Sequence, residues 1–199
     1  MQRPESKTMK LVILDCGGTI NEEGAEFVET PDAWVPLPGA LEAIATLNHA
    51  GWHVVVASNQ ASLGRGLIEV ATLNAILSRM HKMLAAVGGR VDAVFYCPHA
   101  PDEGCHCRKP EPGLFEQIGE RYGFDLKGMP TVGDSVHDLV AGGAVGCAPH
   151  LVLTGQGAQY RGRPLPDSFP PGTRVHNDLA AFAQFLTAAQ EPAQAAPAP

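Results

Sequence analysis

The segment LVILDCGGTIN places Asp15 directly after a short apolar run and ahead of a glycine pair. A carboxylate presented at the end of a buried strand can attack phosphorus or ligate Mg²⁺. The plainer explanation is an aspartate that forms a turn at the strand end. Ser58, Asn59 and Gln60 follow a second β-branched run, and their hydroxyl and amides can hydrogen-bond phosphoryl oxygens. Ser-Asn after a strand is also common turn chemistry. Arg108-Lys109-Pro110 puts two cations at the opening of a helical stretch, where they oppose the helix dipole unless an anion lies between them and the helix. Asp134, in VGDS, and Asp138 one helical turn further on can face the same point. Near Asp15 they would make an oxygen-rich Mg²⁺ site; alone, Asp134 reads equally well as a helix N-cap.

A second group lies between them. Cys97, His99, Cys105 and Cys107 follow the spacing C-x-H-x₅-C-x-C, three thiolates and one imidazole within eleven residues. That is a complete tetrahedral donor set for Zn²⁺. With all four positions taken by protein the zinc is expected to be structural, stapling the loop that leads into Arg108 and Lys109. His106, between two of these ligands, is expected to point away.

These residues need a scaffold, and the chain alternates strand and helix signals. Apolar, β-branched runs at 10–14, 53–57, 91–96 and 129–132 read as strands, with weaker ones at 151–153 and 173–176. Helical spacing recurs over 38–50, 69–87, 111–122, 136–145 and 179–189. Such alternation predicts βαβ units around a parallel sheet, with ligands at the carboxyl ends of the strands. Asp15, Ser58, the 97–109 segment and Asp134 all fall there. One domain is expected over 10–189, with the zinc loop at 97–107, a flexible stretch at 1–9 and a disordered Ala/Pro-rich tail at 190–199.

In that order, Asp15, Ser58, Lys109 and Asp134 resemble the four motifs of the haloacid dehalogenase (HAD) superfamily, over roughly residues 10 to 155. The resemblance implies a Rossmannoid three-layer α/β sandwich with no large cap domain. It also implies an aspartyl-phosphate on Asp15, phosphoryl contacts from Ser58 and Lys109, and Mg²⁺ on Asp15, Asp134 and the Gly17 carbonyl. The zinc loop followed by RKP, together with SNQASLGRG at 58–66, is similar to the D-glycero-D-manno-heptose 1,7-bisphosphate phosphatases. By that similarity Glu23, Gly24, Ala25, Glu26, Asn59, Gln60, Ala61, Arg65 and Arg108 contact a small phosphorylated sugar. Histidinol-phosphate phosphatases share the zinc loop and remain an alternative.

The chain departs from the superfamily pattern at one place. Where Asp-x-Asp-Gly-Thr is usual, it reads Asp15-Cys16-Gly17-Gly18-Thr19. The missing second aspartate is the one that protonates the leaving group and later activates water. General acid–base catalysis is worth a factor of about 10² to 10⁴, so slowed hydrolysis is expected, and a phosphosugar-binding pseudo-phosphatase is a further alternative.

Composition sets the outer bounds. The 199 residues are 45% hydrophobic, enough for a real core. A net charge of −7 argues against general nucleic-acid affinity, although Arg65, Arg108 and Lys109 can supply a local basic pocket. No run is long enough for a membrane span, and MQRPESKTMK lacks the apolar core of a signal peptide. A cytoplasmic monomer is expected. The odd count of five cysteines resolves as three on zinc plus Cys16 and Cys147 as free thiols.

Overall fold

A computed structural model describes residues 9–22 and 28–188. The stretch expected to be flexible (1–9, residue 9 aside) and the expected tail (190–199) lie outside the described residues. Among the described residues six strands form one parallel sheet: β1 (Leu11–Leu14), β2 (His53–Asn59), β3 (Ala93–Cys97), β4 (Pro130–Gly133), β5 (Ala148–Val152) and β6 (Arg174–His176). Their order is β3-β2-β1-β4-β5-β6. β1 is therefore central, and all four of its residues are buried. Leu11 through Leu14 pair with His53 through Val56 on one side, and Ile13 and Leu14 pair with Thr131 and Val132 on the other. A strand covered on both faces must be apolar throughout, which is why LVIL carries no alternation.

The β1 side chains divide between two cores. Val12 and Leu14 pack under α1 (Ala40–His49), α3 (Val70–Ala86) and α6 (Leu179–Ala188), through Leu47, Leu73, Met80 and Phe182. Leu11 and Ile13 face α4 (Gly113–Tyr122) and α5 (Val136–Ala144), through Phe115, Ile118 and Ala141. Helices on both faces of a parallel sheet make the expected three-layer sandwich. Among the described residues no helix is long and apolar enough to cross a membrane.

Three local features differ from the expectation. Ser58 and Cys97 are the penultimate residue of β2 and the last of β3, respectively, and not the loop residues after them, because Ser58 pairs with Tyr96 and Asn59 with Cys97. Arg108 and Lys109 do not open α4, which begins only at Gly113. Lys109 precedes Pro110 and Glu111 precedes Pro112, and a residue before proline is pushed out of the helical region. A short helix α2 (Ala61–Gly64) and a 3₁₀ turn at Gly155–Tyr160 carry no periodic signal, being too short for one.

At the far edge, His150 and His176 share a hydrogen bond of 2.9 Å between Nδ1 and Nε2. The His150 ring sits 4.9 Å from that of Phe182. Burial, then His176 and Arg174, bring His150 from 6.5 down to about 3; burial and Arg174 lower His176 as well. Below the ordinary imidazole range the unfolded chain takes up protons that the folded chain refuses. Stability is thus complete near neutrality and is lost as pH falls from 6.5 toward 3, by up to about 1.4 kcal/mol per pH unit for His150. Denaturant unfolding between about pH 5 and pH 7 should show this slope, and His150→Leu should flatten it.

Candidate active site

Because all strands run the same way, their carboxyl ends share one rim, and the chemically interesting residues gather on it. Asp15 follows β1 and is fixed by its backbone N–H, which donates to the Val132 carbonyl at 2.8 Å. Its carboxylate receives the Lys109 ammonium at 2.5 Å. The same ammonium reaches Asp138 Oδ1 at 2.6 Å and the Ala57 carbonyl at 2.7 Å. Lys109 is only 3% exposed. Burial opposes its charge, but Asp138 and Asp15 outweigh it and hold the ammonium above the usual lysine range. Burial and the Asp138 charge push the Asp15 carboxyl up to about 7, against the pull of Lys109.

Asp138 faces the same point as Asp15 and Asp134, as its spacing predicts, and both of its oxygens are also engaged by protein groups. One oxygen takes the Lys109 ion pair, and the other closes a capping box with Ser135, accepting from its N–H at 3.1 Å and its hydroxyl at 2.6 Å. Ser135, and not Asp134, is therefore the N-cap of α5. Asp134 is left to face Asp15. Its Oδ2 accepts the Gln156 N–H at 2.7 Å, and the backbones of Gly18 and Gly155 press so closely on its carboxylate that a Cβ on either would collide.

One carboxylate oxygen each from Asp15, Asp134 and Asp138 lies within 4.8 Å of the others. Three carboxylates against the single Lys109 ammonium leave two negative charges in a buried place. That is a fit for a hard divalent cation with oxygen ligands, which would also return Asp15 to its ionised form.

A cavity of about 290 Å³ opens onto this group and is lined by Asp15, Gly17, Ser58, Arg108, Lys109 and Asp134 among others. Asn59, Gln60 and Ala61 line it too, and Trp34, Leu73 and Ile76 form an apolar wall. Ser58 Oγ accepts from Gln60 Nε2 at 3.0 Å, which leaves its own O–H to donate. Asn59 turns its amide onto the Lys109 backbone. Arg108 is steadied by the His99 carbonyl at 3.4 Å. Arg65, expected in the pocket, is exposed at the end of α2 and does not line this cavity. Glu23, Gly24, Ala25 and Glu26 lie outside the described residues.

Position 17 contributes only backbone, bridging to Asn21. The neighbouring Cys16 thiol donates to Asn21 Oδ1 at 3.1 Å, and burial raises it to about 12, so it stays protonated. His137, in the first turn of α5, is exposed and lines the same cavity.

The second cluster closes as expected. Five of the six distances among Cys97 Sγ, His99 Nδ1, Cys105 Sγ and Cys107 Sγ lie between 3.2 and 3.7 Å. A tetrahedron with ligands about 2.0 to 2.3 Å from a central Zn²⁺ has edges of that order, whereas a disulfide needs about 2.05 Å. His106 turns away to Glu116, at 2.7 Å. Sequence reasoning missed how this loop is backed. Gly64 of α2 lies against the backbone of His99 and Ala100, where a Cβ would stand 2.6 Å from the His99 carbonyl carbon.

A parallel three-layer α/β sandwich with an aspartate, a serine, a lysine and a further aspartate on one rim defines a HAD-type hydrolase. Residues 10–141 match the polynucleotide kinase 3 phosphatase family, and residues 106–182 match the HAD-hydrolase-like family. The D-glycero-beta-D-manno-heptose-1,7-bisphosphate 7-phosphatase of Bordetella bronchiseptica is 53% identical over 178 residues, covering 89% of this chain and 98% of that protein. The protein of the same name from Pseudomonas aeruginosa is 49% identical over 176 residues, covering 88% of this chain and 97% of its own. The crystal structure of the B. bronchiseptica D,D-heptose 1,7-bisphosphate phosphatase, complexed with magnesium and phosphate, superposes with a TM-score of 0.87 at 52% identity. It covers 91% of this chain and 99% of that one. This chain belongs to the heptose-bisphosphate phosphatase family of the HAD superfamily.

Metal analysis of the purified protein should find about one zinc per chain, bound with a free energy that is also folding free energy. Cys105→Ser should lose that zinc and melt at a lower temperature. Gly64→Ala should keep the ligands yet destabilise by about 1–3 kcal/mol, since the methyl group must displace backbone.

Proposed function

We propose that this chain removes the C7 phosphate of D-glycero-D-manno-heptose 1,7-bisphosphate, a step toward the ADP-heptose of the lipopolysaccharide core. One observation carries the reading. The Asp15–Lys109–Asp134 grouping lies in one cavity of a chain 53% identical to a phosphatase named for that substrate.

Asp15 is the nucleophile: one carboxylate oxygen attacks phosphorus, the ester oxygen departs, and an aspartyl-phosphate results. Lys109 and the Ser58 hydroxyl take the phosphoryl oxygens, where charge develops. Asp15, Asp134 and the Gly17 carbonyl would hold Mg²⁺, which when bound neutralises phosphoryl charge. Arg108, Gln60 and Ala61, which line the cavity, border the sugar. Water then attacks the aspartyl-phosphate and releases inorganic phosphate. Both halves move a proton, to the leaving oxygen and then from water, and Gly17 has no group to move it.

Turnover is therefore impaired. The chain acts as a cytoplasmic monomer on a small phosphosugar, without nucleic-acid or membrane partners, a reading supported by its acidic net charge.

Phosphate release from the heptose bisphosphate, measured beside Gly17→Asp, tests this. The substitution should raise turnover by about 10² to 10⁴. A gain on histidinol phosphate but not on the heptose would overturn the substrate. Equal rates in the two proteins would overturn the account of Gly17. Because Gly17 also favours a binding protein, calorimetry has a distinct outcome: tight Mg²⁺-dependent binding with no release identifies a pseudo-phosphatase.

A further inference from the structure

Asn59 lies at the end of β2 and borders the cavity, the place of a residue that touches the sugar. Its amide is engaged elsewhere. Asn59 Oδ1 accepts the Lys109 backbone N–H at 3.0 Å, and Asn59 Nδ2 donates to the Lys109 carbonyl at 3.1 Å. The two bonds grip both polar groups of one residue, as a neighbouring strand would. The carboxamide supplies both groups from one side chain, whereas a carboxylate could accept but not donate, and an ammonium the reverse.

The grip falls between β3 and α4, outside any strand or helix. Lys109 sits between the thiol–imidazole loop and two prolines, four residues before α4 begins at Gly113 with Glu111 and Pro112 outside the helix. Its ammonium must nonetheless be placed within hydrogen-bond reach of Asp15, Asp138 and the Ala57 carbonyl at once. The next residue, Gln60, reinforces the junction from its own backbone, donating to the Cys97 carbonyl at 2.8 Å. The end of β2 is thereby tied to both ends of the 97–109 segment.

We infer that Asn59 is a positioning residue that fixes the Lys109 backbone, and through it the ammonium beside Asp15, and that it does not read the sugar. This rests on the phosphoryl role of Lys109 proposed above. It replaces the sugar contact assigned to Asn59 by family resemblance.

The test is calorimetric binding of inorganic phosphate and of the heptose 1,7-bisphosphate, each with Mg²⁺, to the full chain and to Asn59→Ala, Lys109→Met and the double variant. Melting temperatures establish that each is folded. If Asn59 acts through Lys109, Asn59→Ala weakens both ligands by a similar factor, roughly tenfold. The double variant then binds no more weakly than Lys109→Met alone. A sugar contact predicts the opposite split, with inorganic phosphate unaffected and only the bisphosphate weakened, and that result overturns the inference. So does full additivity in the double variant. If Lys109→Met leaves phosphate binding unchanged, the proposed role of Lys109 has failed, and the inference falls with it for a reason visible in that measurement alone. Should Asn59→Ala not fold, Asn59→Asp serves instead. It keeps the acceptor, sets a carboxylate oxygen against the Lys109 carbonyl, and should give the same paired loss.

Discussion

The buried ammonium of Lys109 is the interaction on which the carboxyl rim depends. Asp15 and Asp138 come from different parts of the chain and both lie against this one ammonium, and burial penalises the charge of Asp15. Without a cation between them their charges would repel. Placing that cation is a demand on everything nearby. β2 must end where Asn59 can grip the Lys109 backbone, and the thiol–imidazole loop must deliver the 108–109 segment at the right height. α5 must begin so that Asp138 caps its own helix with one oxygen and meets Lys109 with the other. The ammonium is a hub, and the neighbouring elements are shaped by its needs.

The cation site and the donor cluster of the loop solve related problems by different means. In the loop, three sulfurs and an imidazole crowd within 4.8 Å of one another, a geometry that protein packing alone gives no reason to hold. At the rim, the excess carboxylate charge is offset only in part by Lys109. Each is a local concentration of ligand chemistry that a metal completes, one closed by protein on four sides and the other open to a cavity.

Much of this was legible in the sequence. LVIL could only be a strand covered on both sides, and Asp15 follows it directly. The loop ligands lie within eleven residues, so their spacing carried the geometry. What escaped was non-local. The bonds between Asn59 and Lys109 span 50 residues and that between Lys109 and Asp15 spans 94, so they exist only because the strand order brings β3, β2 and β1 side by side. Asp138 was legible as an acid one turn beyond Asp134, but nothing in VGDSVHD says that it pairs with a lysine. Gln156, whose backbone holds Asp134, lies in a turn with no periodic pattern at all.

The direction of the sheet has one more consequence. With six parallel strands, every connection at the amino rim joins elements away from the ligand, such as Gly51 between α1 and β2 or Gly128 ahead of β4. Those turns can lengthen or shorten in descendants of this chain at little cost beyond loop entropy. At the carboxyl rim a single inserted residue moves a charge. The two rims thus accept change at very different rates, and new specificities must arise by exchanging side chains on one rim while the other drifts in length.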